Sequence, residues 1–272
     1  MITGAALVRA TEILCALSLL IQGWEYWSIR GLQTSQGPWA WSVQGRDVPP
    51  GGLHRLLDVV FADAVHQAHL LLRLVLAGVL AVWGGSLGLV LALWLGQVLF
   101  MIRWRGAFNG GSDFMTQVVL TGLLLGHGLM GLGRNDVAWP LGLGWIAVNA
   151  TTSYVIAGWI KWLQPEWRSG TALAVFLDTG LHGPLPAHSV WRRPAVARAA
   201  AWAFMAWEAT FPLAFLSVPM ALLECAVALV FHLLVFRFFG LNRFVWAWLA
   251  AFPSVIWGSI WVGLSLAQQL TP

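Results

Sequence analysis

Long apolar runs, each followed by a short polar stretch, set the rhythm of this chain. The first run covers Ala5 to Trp27. Two more fill Leu70 to Met101 and divide near Gly84-Gly85. A fourth follows Ser112 and ends at Leu132, and a fifth covers Pro140 to Ile160. The last three cover Ala195 to Leu216, Pro219 to Phe238 and Asn242 to Leu266. Most of these runs approach the roughly 20 residues that a helix needs to cross a hydrocarbon core of about 30 Å. Helices satisfy their own backbone groups in lipid. A membrane barrel would instead show strands of about 10 residues with alternating polarity. The pattern therefore predicts an all-α, polytopic transmembrane bundle of about eight spans, within a range of seven to nine. It forms a single domain over residues 1–272.

Two polar segments interrupt the rhythm. Ser28 to His69 is broken by Gly37-Pro38, Pro49-Pro50 and Gly51-Gly52, a loop signature. Its latter part, Leu53 to His69, reads as a short interfacial helix. Lys161 to Arg193 is the second segment, with Pro165, Pro184 and Pro186. The first run ends in Trp24-Glu25-Tyr26-Trp27 and not in a small-residue cleavage site, so it reads as a retained span.

Composition supports this reading and narrows it. Only 10% of residues are charged and 59% are hydrophobic, too little polar surface to coat a globule in water. Many of the 19 tryptophans stand near run ends, where such rings anchor helices at the interface. The net charge of +4 fits contact with lipid headgroups, and no basic run suggests nucleic-acid binding. The expected place is a multi-pass position in the cell (inner) membrane. Cys15 and Cys225 both fall inside apolar runs, without metal or redox spacing, and read as buried structural thiols. Most Arg and Lys fall on one side, which the positive-inside rule would make cytoplasmic. That side also holds Asp47, Asp58, Asp63, Asp113, Glu166 and Asp178 with several histidines, a mixture that fits a cavity mouth equally well.

Ionisable groups inside spans are costly in lipid and mark partners, cavities or helix contacts. Arg9 and Glu12 lie one turn apart and can pair. Glu25, His127, Glu208, Glu224 and His232 are further examples. The plainer reading of each is an interhelical hydrogen bond or ion pair. Lys161 closes the fifth run. Its plainer reading is a snorkelling interfacial lysine. It is also the one lysine among 15 basic residues, and lysine, unlike arginine, can lose its proton when buried and act as a base. The loop from Arg103 to Asp113 carries Asn109, Gly110, Gly111, Ser112 and Asp113. These can converge on a ligand, or Asp113 can simply cap the following helix. Asp63, His66 and His69 share one helical face but lack a defined zinc spacing, and no metal site is expected.

The stretch Tyr154-Val155-Ile156-Ala157-Gly158-Trp159-Ile160-Lys161-Trp162, continued by Pro165-Glu166-Trp167-Arg168-Ser169-Gly170, resembles one membrane superfamily. It comprises the vitamin-K-dependent γ-carboxylases and the bacterial proteins with the HTTM domain. Phe231-His232 and the run to Phe252-Pro253 are similar to the family's later histidine-containing helix. The Asn109-Gly110-Gly111-Ser112-Asp113 loop resembles many bacterial HTTM members.

The resemblance implies that Lys161 is a base that deprotonates a hydroquinone and that His232 belongs to the same pocket. With Glu208, Tyr154 and Trp167, and with Asn109, Asp113 and Arg103 as polar contacts, these form the expected site. Quinone or hydroquinone is the cofactor implied. The carboxylases hold their propeptide substrates in a large extramembrane domain, and none follows the last run here. The expectation is therefore peptide maturation or quinone-linked redox chemistry in the membrane. A different class, a non-catalytic partner for a peptide or another membrane protein, stays open.

Overall fold

A computed structural model describes residues 3–107, 110–181 and 183–270, with side chains to residue 264 except at those gaps. Of the described residues 84% are helical and none is in a strand. Among the described residues, seven helical segments are long and apolar enough to cross a membrane: Gly4–Ser28, Asp63–Trp83, Leu87–Trp104, Gly110–Gly131, Pro194–Leu216, Val218–Phe239 and Asn242–Leu264. The all-α bundle read from the apolar runs is thus the observed architecture. The chain groups into two compact units, one of residues 1–142 with 246–250, the other of residues 143–245 with 251–272.

In the first unit, α1 (Gly4–Ser28) packs on α4 (Asp63–Trp83), α4 on α5 (Leu87–Trp104), α5 on α6 (Gly110–Gly131), and α6 back on α1. The ring closes on Leu19, Leu80, Val90, Leu93, Val119 and Leu123, all nearly inaccessible. Two short helices, α2 (Trp41–Gln44) and α3 (Gly52–Val60), lie in the polar connection between α1 and α4. The expected interfacial helix from Leu53 to His69 is split in two. Its first half is α3, which exposes Leu53, Leu56 and Val59. Its second half already belongs to α4, which begins at Asp63 and buries His66 and Arg73.

The second unit begins within α7 (Asn135–Leu163). This helix matches the fifth apolar run and is long enough to span. It falls outside the seven most apolar segments because Asn149, Thr151, Thr152, Ser153 and Lys161 dilute it. Then come α8 (Pro165–Ser169), α9 (Thr171–Asp178), α10 (Pro194–Thr210) and α11 (Val218–Phe239). α10 tightens into a 3-10 segment over Phe211–Leu216, where Pro212 removes a backbone donor. The last run divides into α12 (Asn242–Leu249) and α13 (Phe252–Leu270), with Pro253 in the first turn of α13. Within this unit α13 packs on α11 and on the 3-10 segment.

Candidate functional site

The expected base sits at the end of α7. That helix stops at Leu163 because Gln164 precedes Pro165 and takes an extended conformation. Pro165 then opens α8 in the position where its missing N–H costs nothing. α8 ends at Gly170 with φ +84°, and a Cβ there would fall 2.5 Å from the Arg198 backbone nitrogen. This tight turn sets α8 and α9 against α10 and brings Trp167 over Lys161.

Glu208 of α10 is 2% exposed and faces α7. The Lys161 Nζ donates to both of its carboxylate oxygens at 2.7 Å. The ammonium also lies 5.7 Å from the Trp167 ring and 5.5 Å from the Phe204 ring. Such faces attract a cation. α7 and α10 approach this closely because position 158 is glycine. A Cβ on Gly158 would stand 2.6 Å from the Ala209 nitrogen and 2.8 Å from the Glu208 Cβ. Gly158→Val is therefore expected to part the helices and cost about 1–3 kcal/mol through overpacking. Thermal unfolding in detergent reads this loss, and an unchanged midpoint would refute the close crossing.

Beside the pair opens a cavity of about 430 Å³. Its walls are Trp167 of α8, Phe176 of α9, Phe204 and Trp207 of α10, and Phe231 and Phe238 of α11, filled out by aliphatic residues. Among the described residues, Lys161 is the one ionisable group in that lining. Behind the wall the Tyr154 hydroxyl and the His232 Nε2 are hydrogen-bonded at 2.7 Å, 3% and 1% exposed. The Trp207 ring lies 5.1 Å from Tyr154, and the Phe231 ring 5.2 Å from His232. Two aromatic rings thus stand between this hydrogen bond and the cavity. Glu224 also lies in this unit, beside Trp207. Its Oε2 is buried and has no hydrogen-bond partner among the described residues.

The second unit therefore gathers Lys161, Glu208, Trp167, Tyr154 and His232, five of the expected site residues. Two of the other three expected residues, Asp113 and Arg103, belong to the first unit. Asp113, in the first unit, accepts from the Gln22 amide at 2.5 Å. Arg103 is in the first unit too, where it donates to the backbone carbonyls of Gln33 and Trp39 at 2.9 and 3.2 Å. Its guanidinium stands 5.3 Å from the Phe61 ring and 5.7 Å from that of Trp104. Neighbouring Arg105 pairs with Asp47 at 2.9 Å. Asn109 lies outside the described residues.

Two further expectations meet their partners. Arg9 pairs with Glu12 at 3.2 Å, one turn away, and the same carboxylate holds His127 at 2.9 Å and the Gly85 N–H at 2.9 Å. Asp63 is engaged by the Ser35 backbone N–H and hydroxyl, and His66 by the Gln33 side chain at 2.8 Å, so their shared face is divided between different partners. No three His, Cys, Asp or Glu among the described residues are grouped to hold a metal. Both cysteines are buried free thiols.

The first unit also holds a buried polar network. Arg73, in the middle of α4, donates to the side-chain carbonyls of Gln22 and Gln97, and Gln97 donates to the Asp113 carbonyl at 3.1 Å. A single arginine within an apolar run was the available signal. The cavity had no comparable signal, since small residues such as Ala200 and Ala203 look the same whether they face a neighbour or a void.

Fold and composition together define a multi-pass, all-α membrane protein in contact with the lipid bilayer. In comparisons with protein-family models, with curated proteins and with solved structures, none matches this chain.

Proposed function

We propose that this is an HTTM-type membrane protein that receives a lipid-soluble ring compound of the quinone class in the cavity of its second unit. The observation that carries the reading is an apolar chamber of about 430 Å³ in which the described lining holds one ionisable group, Lys161, already paired with a buried carboxylate. Ligand pockets are commonly about 300–1,000 Å³, mostly apolar, with a few placed polar groups. Aromatic walls suit a planar head, and the aliphatic stretch suits an isoprenoid tail. A hydroquinone, when bound, supplies an acidic O–H and a pair of electrons. Lys161 and Glu208 supply the proton handling. Passing one proton from Nζ to a Glu208 oxygen leaves a neutral amine facing the cavity, able to accept a proton from a ligand hydroxyl. Tyr154 and His232, behind the wall, hold α7 and α11 in register and so position the chamber.

The test is binding of a short-tailed benzoquinone to the full chain in lipid nanodiscs, read by quenching of tryptophan fluorescence. Saturable quenching is expected in the native protein. Filling the cavity with Ala203→Trp should weaken it at least roughly tenfold, about 1.4 kcal/mol. Quenching that rises without saturation, and equally in both proteins, would mean simple partition into lipid and would end the reading.

A further inference from the structure

The outer end of the second unit is rich in arginine. α10 starts there and α11 ends there, since the Phe204 and Phe231 rings meet 5.9 Å apart on antiparallel neighbours. Arg168 of α8, Arg193 and Arg198 at the start of α10, and Arg237 of α11 are all exposed. None of the four has a carboxylate within ion-pair distance among the described residues. The nearby Asp178 is taken by Arg192, at 2.5 Å. Among the described residues at this end, Glu166 is left to balance them.

The cavity reaches this end. The Arg237 guanidinium lies 5.9 Å from the ring of Phe238, a wall residue, and Arg168 follows the wall residue Trp167. Along α11 the lining runs from Val227 to Phe239, about 18 Å of helix at 1.5 Å per residue. Three lining residues, Phe176, Val230 and Leu234, are 52%, 57% and 44% exposed. The chamber is therefore open sideways, on an apolar face that meets acyl chains in a bilayer.

We infer that this groove holds an anionic phospholipid of the surrounding bilayer. One acyl chain lies between α9 and α11, and the phosphate sits at the arginine rim, with Arg168 and Arg237 as its principal partners. Guanidinium binds phosphate through paired hydrogen bonds. Anionic headgroups are drawn to arginines at the membrane surface, whereas a zwitterionic headgroup brings its own cation against them. The inference rests on the cavity being a ligand site, as proposed above, but not on proton transfer at Lys161. The chain takes the outer stretch of the groove beside Ala200, away from the end where Lys161 meets Glu208.

The purified full chain is exchanged into micelles carrying equal amounts of phosphatidylglycerol and phosphatidylcholine, and retained lipid is read by native mass spectrometry. One phosphatidylglycerol per chain is expected, retained several-fold over phosphatidylcholine. The Arg168→Gln/Arg237→Gln variant should lose that preference, and Ala200→Trp should lose retention of both lipids. Equal retention of the two lipids by the native protein overturns the inference. So does a preference that survives the double variant, or retention that is indifferent to Ala200→Trp. Quinone quenching on the same preparations separates the two readings. Saturable quenching without lipid preference defeats only the lipid inference, and lipid preference without saturable quenching defeats only the quinone reading.

Discussion

Glu208→Leu is expected to destabilise the protein by about 3–5 kcal/mol, the usual cost of removing one member of a buried ion pair. Glu208 is 2% exposed and takes both of its short contacts from Lys161. Without it, the ammonium is left against an apolar wall, with the Trp167 and Phe204 rings as partial compensation. The informative measurement is the double-mutant cycle. Lys161→Met/Glu208→Leu replaces two charges by apolar groups of similar shape and should recover most of the loss, because a buried pair often has little net worth over a hydrophobic one. Thermal unfolding in detergent reads all three variants. If the double variant is no more stable than Glu208→Leu, the two residues are not a coupled pair. If it is stable and still binds and turns over ligand like the native protein, the pair is helix glue and the proton-transfer role fails.

Arg73→Met is expected to cost a comparable amount, about 3–5 kcal/mol, at a place unconnected with that chemistry. Arg73 is 2% exposed and donates to both Gln22 and Gln97, and hydrogen bonds to a charged group contribute about 1.5–3 kcal/mol each. Interhelical hydrogen bonds within membranes average only about 0.6 kcal/mol, which sets the rival figure. The network joins the four ring-forming helices α1, α4, α5 and α6 of the first unit. Gln22 comes from α1, Arg73 from α4, Gln97 from α5 and Asp113 from α6. A measured loss below about 1 kcal/mol would place it among ordinary interhelical contacts. Arg73→Lys should recover little, since a compact ammonium lacks the fork that reaches two amide carbonyls.

These two centres show how differently the sequence spoke. Lys161 stands out because it is the one lysine in the chain. Its partner Glu208 was visible only as one of several acids inside apolar runs. Arg73 carries the same warning, a charge inside an apolar run. Asp113 looked like a loop ligand or a helix cap. It turned out to be a buried acceptor, since α6 is already helical from Gly110 and carries Asp113 into the bundle.

What the sequence determined by itself was the solvent and the class of fold. Apolar runs of membrane-spanning length, broken by Gly and Pro, leave helices as the way to satisfy the backbone, and that is a local property readable one segment at a time. It also determined neighbours along a helix, such as Arg9 with Glu12, because 3.6 residues per turn fixes which positions meet. Only the tertiary structure decided which polar group faces which across helices. The spacing from Lys161 to Glu208, from Tyr154 to His232, or from Arg73 to Gln22 and Gln97 has no period in the sequence. It follows from helix rotation, and from close crossings such as that at Gly158, where the absence of a Cβ lets two backbones meet. The cavity belongs to the same order of fact, because a void is a property of several packed surfaces together and of no residue alone.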